Sequence, residues 1–165
     1  MRPVVACVGL GGNVGEVAQA VAGALAALDG LPQTHLIGAS RIYRTPAWGR
    51  RDQPDFLNAA ATLETTLPAR ALLDALLEIE RRFGRERTAD VGDRWGPRTL
   101  DLDLLLYGDA VLDEPGLRVP HPHLHERAFA LLPLAEIAPQ AAIPGRGSVA
   151  DALAALDAGG IEAIP

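Results

Sequence analysis

The stretch Thr99-Leu100-Asp101-Leu102-Asp103-Leu104-Leu105-Leu106-Tyr107 is the segment from which we assign the fold. It is short, apolar and bounded by turn residues, so it predicts a strand with two acids among its leucines. Because residues i and i+2 of a strand point to the same face, the carboxylates of Asp101 and Asp103 would stand about 7 Å apart at the backbone. Two such carboxylates suit Mg²⁺, which binds one or two carboxylates together with phosphate oxygens. A solvated acidic face of an antiparallel sheet is an equally open interpretation of the same stretch.

Outward from this strand, the hydrophobic pattern predicts the order β-α-β-β-α-β, followed by a hairpin and further helices. That order is the ferredoxin-like pattern of an α+β sandwich. We expect an antiparallel sheet with helices on one face and the other face free for ligands. The predicted segments are strands Pro3–Gly9, His35–Tyr43, Asp55–Thr66 and Thr99–Tyr107, helices Val14–Leu28, Pro68–Phe83, His125–Ile137 and Ser148–Leu156, and the hairpin Gly108–Val119.

Local signals refine three of these segments. Ser148 is a suitable N-cap for the last helix. Pro133 is expected to kink or split the helix in which it lies. The glycines of Gly9-Leu10-Gly11-Gly12-Asn13 predict a turn, and we interpret them as permitting close backbone packing beside a ligand or a helix start. Val14 stands where a dinucleotide-binding fingerprint needs its third glycine, so that fingerprint is not met.

Composition excludes several classes of protein. The chain has 165 residues, which suits a single domain spanning 1–165, and all 15 basic residues are arginine. Without lysine, neither a P-loop nor a Schiff-base enzyme is possible. The single cysteine, Cys7, excludes an internal disulfide and a Cys-rich metal site, and favours a cytoplasmic protein. The net charge of −6 argues against a general nucleic-acid binder, and no apolar run is long enough to span a membrane.

Arginines concentrate just before the acidic strand. Six of the fifteen fall within eighteen residues, on a helix end and the loop after it, and a guanidinium fork matches phosphate oxygens. Together with the acids they suggest a nucleotide with its Mg²⁺. Ion pairs with neighbouring glutamates on a solvated face are the alternative, which fits Arg81 and Arg82 best. The cluster consists of Arg81, Arg82, Arg85, Arg87, Arg94 and Arg98.

Three histidines at alternate positions invite a zinc interpretation. His121, His123 and His125 are interrupted by Pro122, however, and their spacing does not place them on one helix face. We therefore disfavour a zinc site, and expect His121 and Arg127 to contact phosphate.

Taken together, these segments resemble the 6-hydroxymethyl-7,8-dihydropterin pyrophosphokinase family of folate biosynthesis. The decapeptide from Arg94 to Asp103 carries most of the resemblance. Shorter matching pieces are Tyr43-Arg44-Thr45-Pro46, Asp52-Gln53-Pro54-Asp55-Phe56-Leu57-Asn58-Ala59, Val119-Pro120-His121-Pro122, Glu136-Ile137-Ala138-Pro139 and the opening Gly9-Leu10-Gly11-Gly12-Asn13.

The resemblance implies transfer of the β,γ-pyrophosphate of ATP to the hydroxymethyl oxygen of the pterin, with release of AMP. It implies two Mg²⁺ ions on Asp101 and Asp103. The phosphates would be clamped by Arg85 and Arg98, with Arg87 and Arg94 on a closing loop. The other ATP contacts would be Glu80, His121 and Arg127. The pterin would meet Phe56, Phe129, Asn58, Thr45, Pro46 and Trp95.

Two other functions are compatible with the predicted fold. One is an RNA-binding module that uses the arginine cluster, although the aromatic fraction is only 4% and the acids would repel a nucleic-acid backbone. The other is a small-ligand regulatory domain without catalysis. Our main expectation is a monomeric cytoplasmic enzyme that binds ATP and hydroxymethyl-dihydropterin, with no nucleic-acid or membrane partner.

Overall fold

The computed structural model describes residues 2–13, 15–45, 55–84 and 100–164. Within these ranges it contains a large antiparallel sheet, two two-stranded sheets, four α-helices and a short 3-10 turn. None of the described helices has both the length and the apolar character needed to cross a bilayer. The elements are β1 (Val4–Gly12), α1 (Val17–Asp29), β2 (Thr34–Ala39), β3 (Tyr43–Thr45), β4 (Phe56–Thr65), α2 (Ala69–Gly84), β5 (Asp101–Tyr107), β6 (Leu112–Glu114), β7 (Leu117–Val119), the 3-10 turn (Leu124–Glu126), α3 (Ala128–Ile137), β8 (Ala142–Ile143), β9 (Gly147–Ser148), α4 (Val149–Ala154) and β10 (Glu162–Ala163).

The large sheet has β1 at its centre. β1 pairs antiparallel with β4 on one side and with β5 on the other, and β4 in turn pairs with both β2 and β3. The path β2-β4-β1-β5 is the strand order of a ferredoxin-like sandwich, which confirms the predicted fold class. β10 adds an outer strand next to β3.

One face of the sheet is covered by α1 and α2. Alternate residues of β1, including Ala6, Val8 and Leu10, point to this face because side chains alternate along a strand. They pack against the apolar stripe of α2, in which Leu72 and Leu76 are fully buried. This layer is the main hydrophobic core, as the sequence pattern predicted.

The opposite face is only partly free, so the expectation of a bare ligand face needs correction. Cys7, Ala60 and Leu105 project from this face and are buried beneath α3 and α4. Both helices are rich in Ala and Leu, and burying their apolar surface favours packing on the sheet over exposure to water. Among the described residues, a cavity remains at the end of this face formed by Gly9–Gly12, the start of β4 and the start of β5.

Three local predictions differ from the structure. The glycine-rich segment predicted as a turn is the last part of β1, which is paired on both sides as far as Gly11. The predicted second strand divides into β2 and β3. The break before α3 falls at the extended residue Arg127 and not at Pro133, which lies inside the helix. Pro133 is the sixth residue of α3 and has no N–H to donate to the Phe129 carbonyl, yet the helix continues to Ile137.

Other local predictions are confirmed. Ser148 caps α4, and its hydroxyl accepts a hydrogen bond from the Asp151 N–H at 3.0 Å while the Asp151 side chain accepts one from the Ser148 N–H. The predicted hairpin forms from β6 and β7, and its turn contains Gly116 at φ +74°. Only glycine adopts that backbone conformation readily.

The break between β2 and β3 is held by a side chain that replaces a strand contact. The Ser40 N–H donates to the Ala60 carbonyl, and the Ser40 hydroxyl accepts from the Ala60 N–H, both at 2.9 Å. The hydroxyl also donates to the Arg41 carbonyl at 2.7 Å. Ser40 therefore lets the strand bend while β4 keeps its hydrogen bonds.

We predict that Ser40→Ala lowers the free energy of unfolding by about 1 kcal/mol, because it leaves the partly buried Ala60 N–H without its acceptor. Urea unfolding followed by circular dichroism measures this change. Unaltered stability in the variant would show that the hydroxyl is not needed at the bend.

Candidate active site

The register of the sheet brings the predicted site residues of three strands into one row. Gly11 of β1 lies opposite Asn58 of β4 on one side and opposite Asp101 of β5 on the other. One row further, Gly9 lies opposite Ala60 and Asp103. Residues directly opposite each other in an antiparallel pair share a face, so all of these lie on the same side of the sheet. Two glycines therefore form a bare strip between Asn58 and the acid pair.

A cavity of about 630 Å³ lies above this strip, and we call it the sheet cavity. Its floor is Gly9–Gly12, and both Asp101 and Asp103 line it, as does Asn58. Phe56 and Phe129 also line it, which brings together the two aromatic residues predicted to meet the pterin ring. Phe129 remains 37% exposed, an unusual amount for a large apolar side chain. The cavity therefore combines aromatic walls with polar groups on opposite sides of a flat floor.

Glycine is required at position 11 by the close approach of Asn58. A Cβ at this position would overlap the Asn58 Oδ1 and would lie 3.1 Å from the Leu57 carbonyl oxygen. The atoms nearest to a Cβ at Gly9 would be those of the Leu105 side chain, at 3.4 Å and beyond. The prediction that these glycines permit close packing is thus confirmed for Gly11, although they lie in a strand.

Two polar atoms at the edge of the floor are buried without a hydrogen-bond partner among the described residues. They are the Thr45 Oγ1 and the Asn58 Nδ2. Leaving such an atom unsatisfied costs about 1–3 kcal/mol, so it is expected where a ligand supplies the missing partner. Thr45 lies opposite Phe56 in the register and on the same face as Asn58, and the pterin contact expected of both residues stays a prediction.

A second cavity, of about 700 Å³, adjoins the first and is called here the hairpin cavity. Residues of the β6–β7 hairpin form one wall, and Leu73, Leu77 and Glu80 of α2 form another. Asp103 and His121 line both cavities. Asp103, the second residue of the acid pair, therefore lies at the junction of the two cavities, each of which is large enough for a small-molecule substrate.

Glu80 contacts the backbone of β5 directly. Its Oε2 accepts a hydrogen bond of 2.9 Å from the Leu102 N–H, and the side chain is buried. β5 is an edge strand, and the Leu102 N–H points away from β1 toward α2, where Glu80 accepts its hydrogen bond. Leu102 lies between Asp101 and Asp103 in the sequence. Glu80, predicted as an ATP contact, thus also ties α2 to the strand that carries the acids.

His121 presents a neutral ring to the junction. Burial is the main cause that lowers its pKa, and the charges of Arg127 and His123 lower it further, while Asp103 opposes the shift. Its Nδ1 accepts the His123 N–H at 3.2 Å, so the neutral ring carries its proton on Nε2. An N–H donor at this position suits an anionic oxygen of a ligand.

Arg127 lines the sheet cavity, although it was predicted as an ATP contact, and its guanidinium lies 5.7 Å from the centre of the Phe129 ring. His123 and His125 instead pair with Glu126 at the surface, at 3.0 and 3.3 Å. The described ranges contain no group of three or more His, Cys, Asp or Glu that could hold a metal.

The remaining predicted site residues lie outside the described residues. They are Pro46, Arg85, Arg87, Arg94, Trp95 and Arg98. Their roles stay predictions.

Sequence reasoning missed three features of the site. It ended the first strand at Gly9 and so left Gly11 outside it, although the i, i+2 spacing of these two glycines is the same as that of Asp101 and Asp103. It did not anticipate the hairpin as a cavity wall. The contact between Glu80 and Leu102 had no signal in the local pattern, because it joins residues 22 positions apart.

Comparison with known proteins gives concordant results. Residues 7–139 match the family model described as 7,8-dihydro-6-hydroxymethylpterin-pyrophosphokinase. A Pseudomonas aeruginosa protein named 2-amino-4-hydroxy-6-hydroxymethyldihydropteridine pyrophosphokinase is 46% identical over 158 residues, covering 96% of this chain and 95% of its own. A protein of the same name from Methylorubrum extorquens is 45% identical over 159 residues, covering 96% and 98%.

Solved structures share the fold. A crystal structure of Plasmodium falciparum HPPK-DHPS, a triple mutant with SDX-DHP, superposes with a TM-score of 0.69 over 93% of this chain at 12% identity. The chain spans 44% of the length of that solved chain. At this identity the likeness extends to the fold alone.

We predict that Gly11→Ala destabilises the protein by about 1–3 kcal/mol, because the new methyl group forces the Asn58 amide and the neighbouring backbone to move. Gly9→Ala is the matched control and should be neutral or slightly stabilising, since its methyl group meets only a flexible leucine. Chemical unfolding of both variants measures the difference. Equal effects at the two positions would contradict the packing described for Gly11.

Proposed function

Since the chain belongs to the 7,8-dihydro-6-hydroxymethylpterin-pyrophosphokinase family, it transfers a pyrophosphoryl group to hydroxymethyl-dihydropterin in folate biosynthesis, and we propose that its two cavities hold the two substrates of this reaction. The observation that carries the proposal is the position of Asp103 and His121 at the junction of the cavities. A group that passes from one substrate to the other must cross that junction.

The pterin is assigned to the sheet cavity. Its flat ring fits over the glycine strip between Phe56 and Phe129, since aromatic rings gain both apolar burial and stacking there. The unsatisfied Asn58 Nδ2 and Thr45 Oγ1 would bond to the polar edge of the ring. Placing this edge at Asn58 directs the opposite side of the ring toward Asp101, two strands away in the same row.

The nucleotide is assigned to the hairpin cavity. Its adenosine end would lie between Leu73 and Leu77 of α2 and the hairpin, with its phosphates directed to the junction. The Nε2–H of His121 at the junction, and the guanidinium of Arg127 on the adjoining wall of the sheet cavity, would bond to phosphate oxygens. We retain Arg85, Arg87, Arg94 and Arg98 as predicted phosphate contacts, with Pro46 and Trp95 as predicted pterin contacts.

The residues present fit Mg²⁺. Asp101 and Asp103 point to one face and line one cavity, and the cation prefers few carboxylates plus substrate phosphates over a cage made only of protein ligands. Asp101 and Asp103 would hold the metal, for which we propose two ions. When bound, Mg²⁺ supplies neutralisation of phosphate charge and lowers the pKa of a coordinated hydroxyl.

The chain itself contributes binding and alignment. The hydroxymethyl oxygen forms a bond to the β-phosphorus of ATP, the bond from that phosphorus to the bridging α,β-oxygen breaks, AMP leaves, and the hydroxyl proton passes to solvent. Transfer of this kind needs positioning and charge stabilisation more than a reactive side chain. Asn58 and the aromatic walls orient the acceptor, while His121 and Arg127 stabilise the charge that shifts onto the leaving oxygens.

The alternative functions lose their support. An RNA-binding module would not need an acid pair at the junction of two cavities, and a regulatory domain would not need two adjoining substrate spaces. A cytoplasmic location and a monomeric state remain predictions, since neither follows from the cavities.

We predict that Asp101→Asn and Asp103→Asn each lower kcat by at least about 100-fold, because the metal's contribution to charge stabilisation is worth several kcal/mol. Asp109→Asn is the matched control, since Asp109 is an exposed carboxylate just beyond the other end of β5. Steady-state turnover with saturating ATP and hydroxymethyl-dihydropterin checks this. Full activity in either of the first two variants would contradict the assigned role of the acid pair.

The nature of the transferred group is tested by identifying the nucleotide product. Separation of AMP from ADP by chromatography after reaction with hydroxymethyl-dihydropterin should show one AMP per pterin consumed, and none without pterin. Stoichiometric ADP would mean transfer of a single phosphoryl group, and would overturn the proposed chemistry.

A further inference from the structure

The first residues of two short motifs on which the family resemblance depends meet in space, although neither residue lines the cavities described above. Tyr43 opens the motif at residues 43–46, and Glu136 opens the motif at residues 136–139. The Tyr43 hydroxyl donates to the Glu136 Oε1 at 2.6 Å, across 93 positions of sequence. Tyr43 is only 5% exposed.

Arg41 completes the contact. Its backbone N–H and its Nε both donate to the Glu136 carboxylate, at 3.2 Å for each contact with Oε1. Its guanidinium lies 5.6 Å from the centre of the Tyr43 ring and donates to the Tyr43 hydroxyl at 3.2 Å. The end of α3 is therefore joined to the start of β3 by a network of hydrogen bonds to one carboxylate.

The charge states make this network strong. Burial raises the pKa of Tyr43, and its hydrogen bond to Glu136 raises it further, so the phenol stays protonated. Although burial alone would raise the pKa of Glu136, the hydrogen bonds from Tyr43 and Arg41 lower it. A neutral donor then meets an ionised acceptor, which is a stronger pair than two neutral groups.

The two joined elements carry opposite sides of the pterin space. On β3, Tyr43 lies directly opposite Asn58, and Thr45 lies opposite Phe56. On α3, Phe129 and Glu136 are seven residues apart, so they lie two turns apart on the same side of the helix. A bond at one end of α3 thus limits how far Phe129, near its other end, can shift relative to Asn58 and Thr45.

We infer that Tyr43 and Glu136 are positioning residues for the pterin, whose hydrogen bond sets the separation of α3 from β3 and hence the width of the sheet cavity. The inference rests on the proposed function, because it assigns the pterin to that cavity. Neither residue needs to touch the substrate. The role of their hydrogen bond is to keep Phe129 on one side, and Asn58 and Thr45 on the other, at the spacing that a flat ring requires.

The test uses Tyr43→Phe, which removes only the hydroxyl, with Tyr107→Phe as its matched control. The Tyr107 hydroxyl also donates to a partner in the protein, the Leu67 carbonyl, but at the opposite end of β5 from the acid pair. We expect Tyr43→Phe to raise the KM for the pterin about five- to tenfold, as loss of one charged hydrogen bond allows. The KM for ATP should stay within about twofold, and Tyr107→Phe should leave both constants unchanged.

Two further measurements separate positioning from general loss of structure. Calorimetric titration of the pterin into protein saturated with a non-hydrolysable ATP analogue should show the same loss of affinity in Tyr43→Phe without any turnover. Glu136→Gln keeps an acceptor for the hydroxyl, so it should lie between the wild type and Glu136→Ala in pterin affinity. Equal pterin affinity in Tyr43→Phe and Tyr107→Phe, or equal losses for pterin and ATP, would overturn the inference.

The outcomes also distinguish this inference from the function on which it rests. A wild-type protein that releases no AMP in the presence of pterin would contradict the proposed function. A wild-type protein that releases AMP, combined with an unchanged pterin KM in Tyr43→Phe, would contradict the positioning role alone.

Discussion

Antiparallel pairing of the central strand β1 with both β4 and β5 determines which side chains can meet above the sheet. Because side chains alternate along every strand, a slip of one residue in either pairing would turn Asn58 or Asp101 into the core beneath α1 and α2. The observed register places Asn58, Gly11 and Asp101 in one row on the opposite face. Alternating apolar residues such as Ala6 and Val8 hold that register, since a slip would remove them from the core beneath α1 and α2.

This face of the sheet carries both a second hydrophobic core and the floor of the sheet cavity. Along most of its length α3 and α4 cover it with apolar side chains, and buried residues such as Cys7 show how completely water is excluded there. Burial raises the pKa of the Cys7 thiol to about 12, as expected for a site with no polar compensation. Where the helices end, Gly9 and Gly11 replace larger residues and the surface becomes a cavity floor. Along β1, the hydrophobic core beneath α3 and α4 therefore gives way directly to the floor of the proposed pterin site.

Local periodicity and residue type predicted the order of elements and the acid pair, whereas the aromatic walls were implied by the family resemblance. Asp101 and Asp103 share a face by strand geometry alone, and Ser148 has the local features of a helix cap. The sequence analysis ended the first strand at Gly9 and placed Gly11 in a turn, since glycine is most common in turns and Asn58, which approaches Gly11 closely, lies 47 positions away in the sequence. The contacts of Glu80 with Leu102 and of Tyr43 with Glu136 were equally inaccessible. Each joins distant segments through a single hydrogen bond that leaves no pattern in the neighbouring residues.

The most direct test of this account is a crystal structure of the protein with hydroxymethyl-dihydropterin, a non-hydrolysable ATP analogue and Mn²⁺ in place of Mg²⁺, since Mn²⁺ is located by its anomalous scattering. The account predicts anomalous peaks beside Asp101 and Asp103, and a pterin ring lying over Gly9 and Gly11 with its polar edge at Asn58. A metal bound away from the acid pair, or a pterin bound on any other surface, would contradict it.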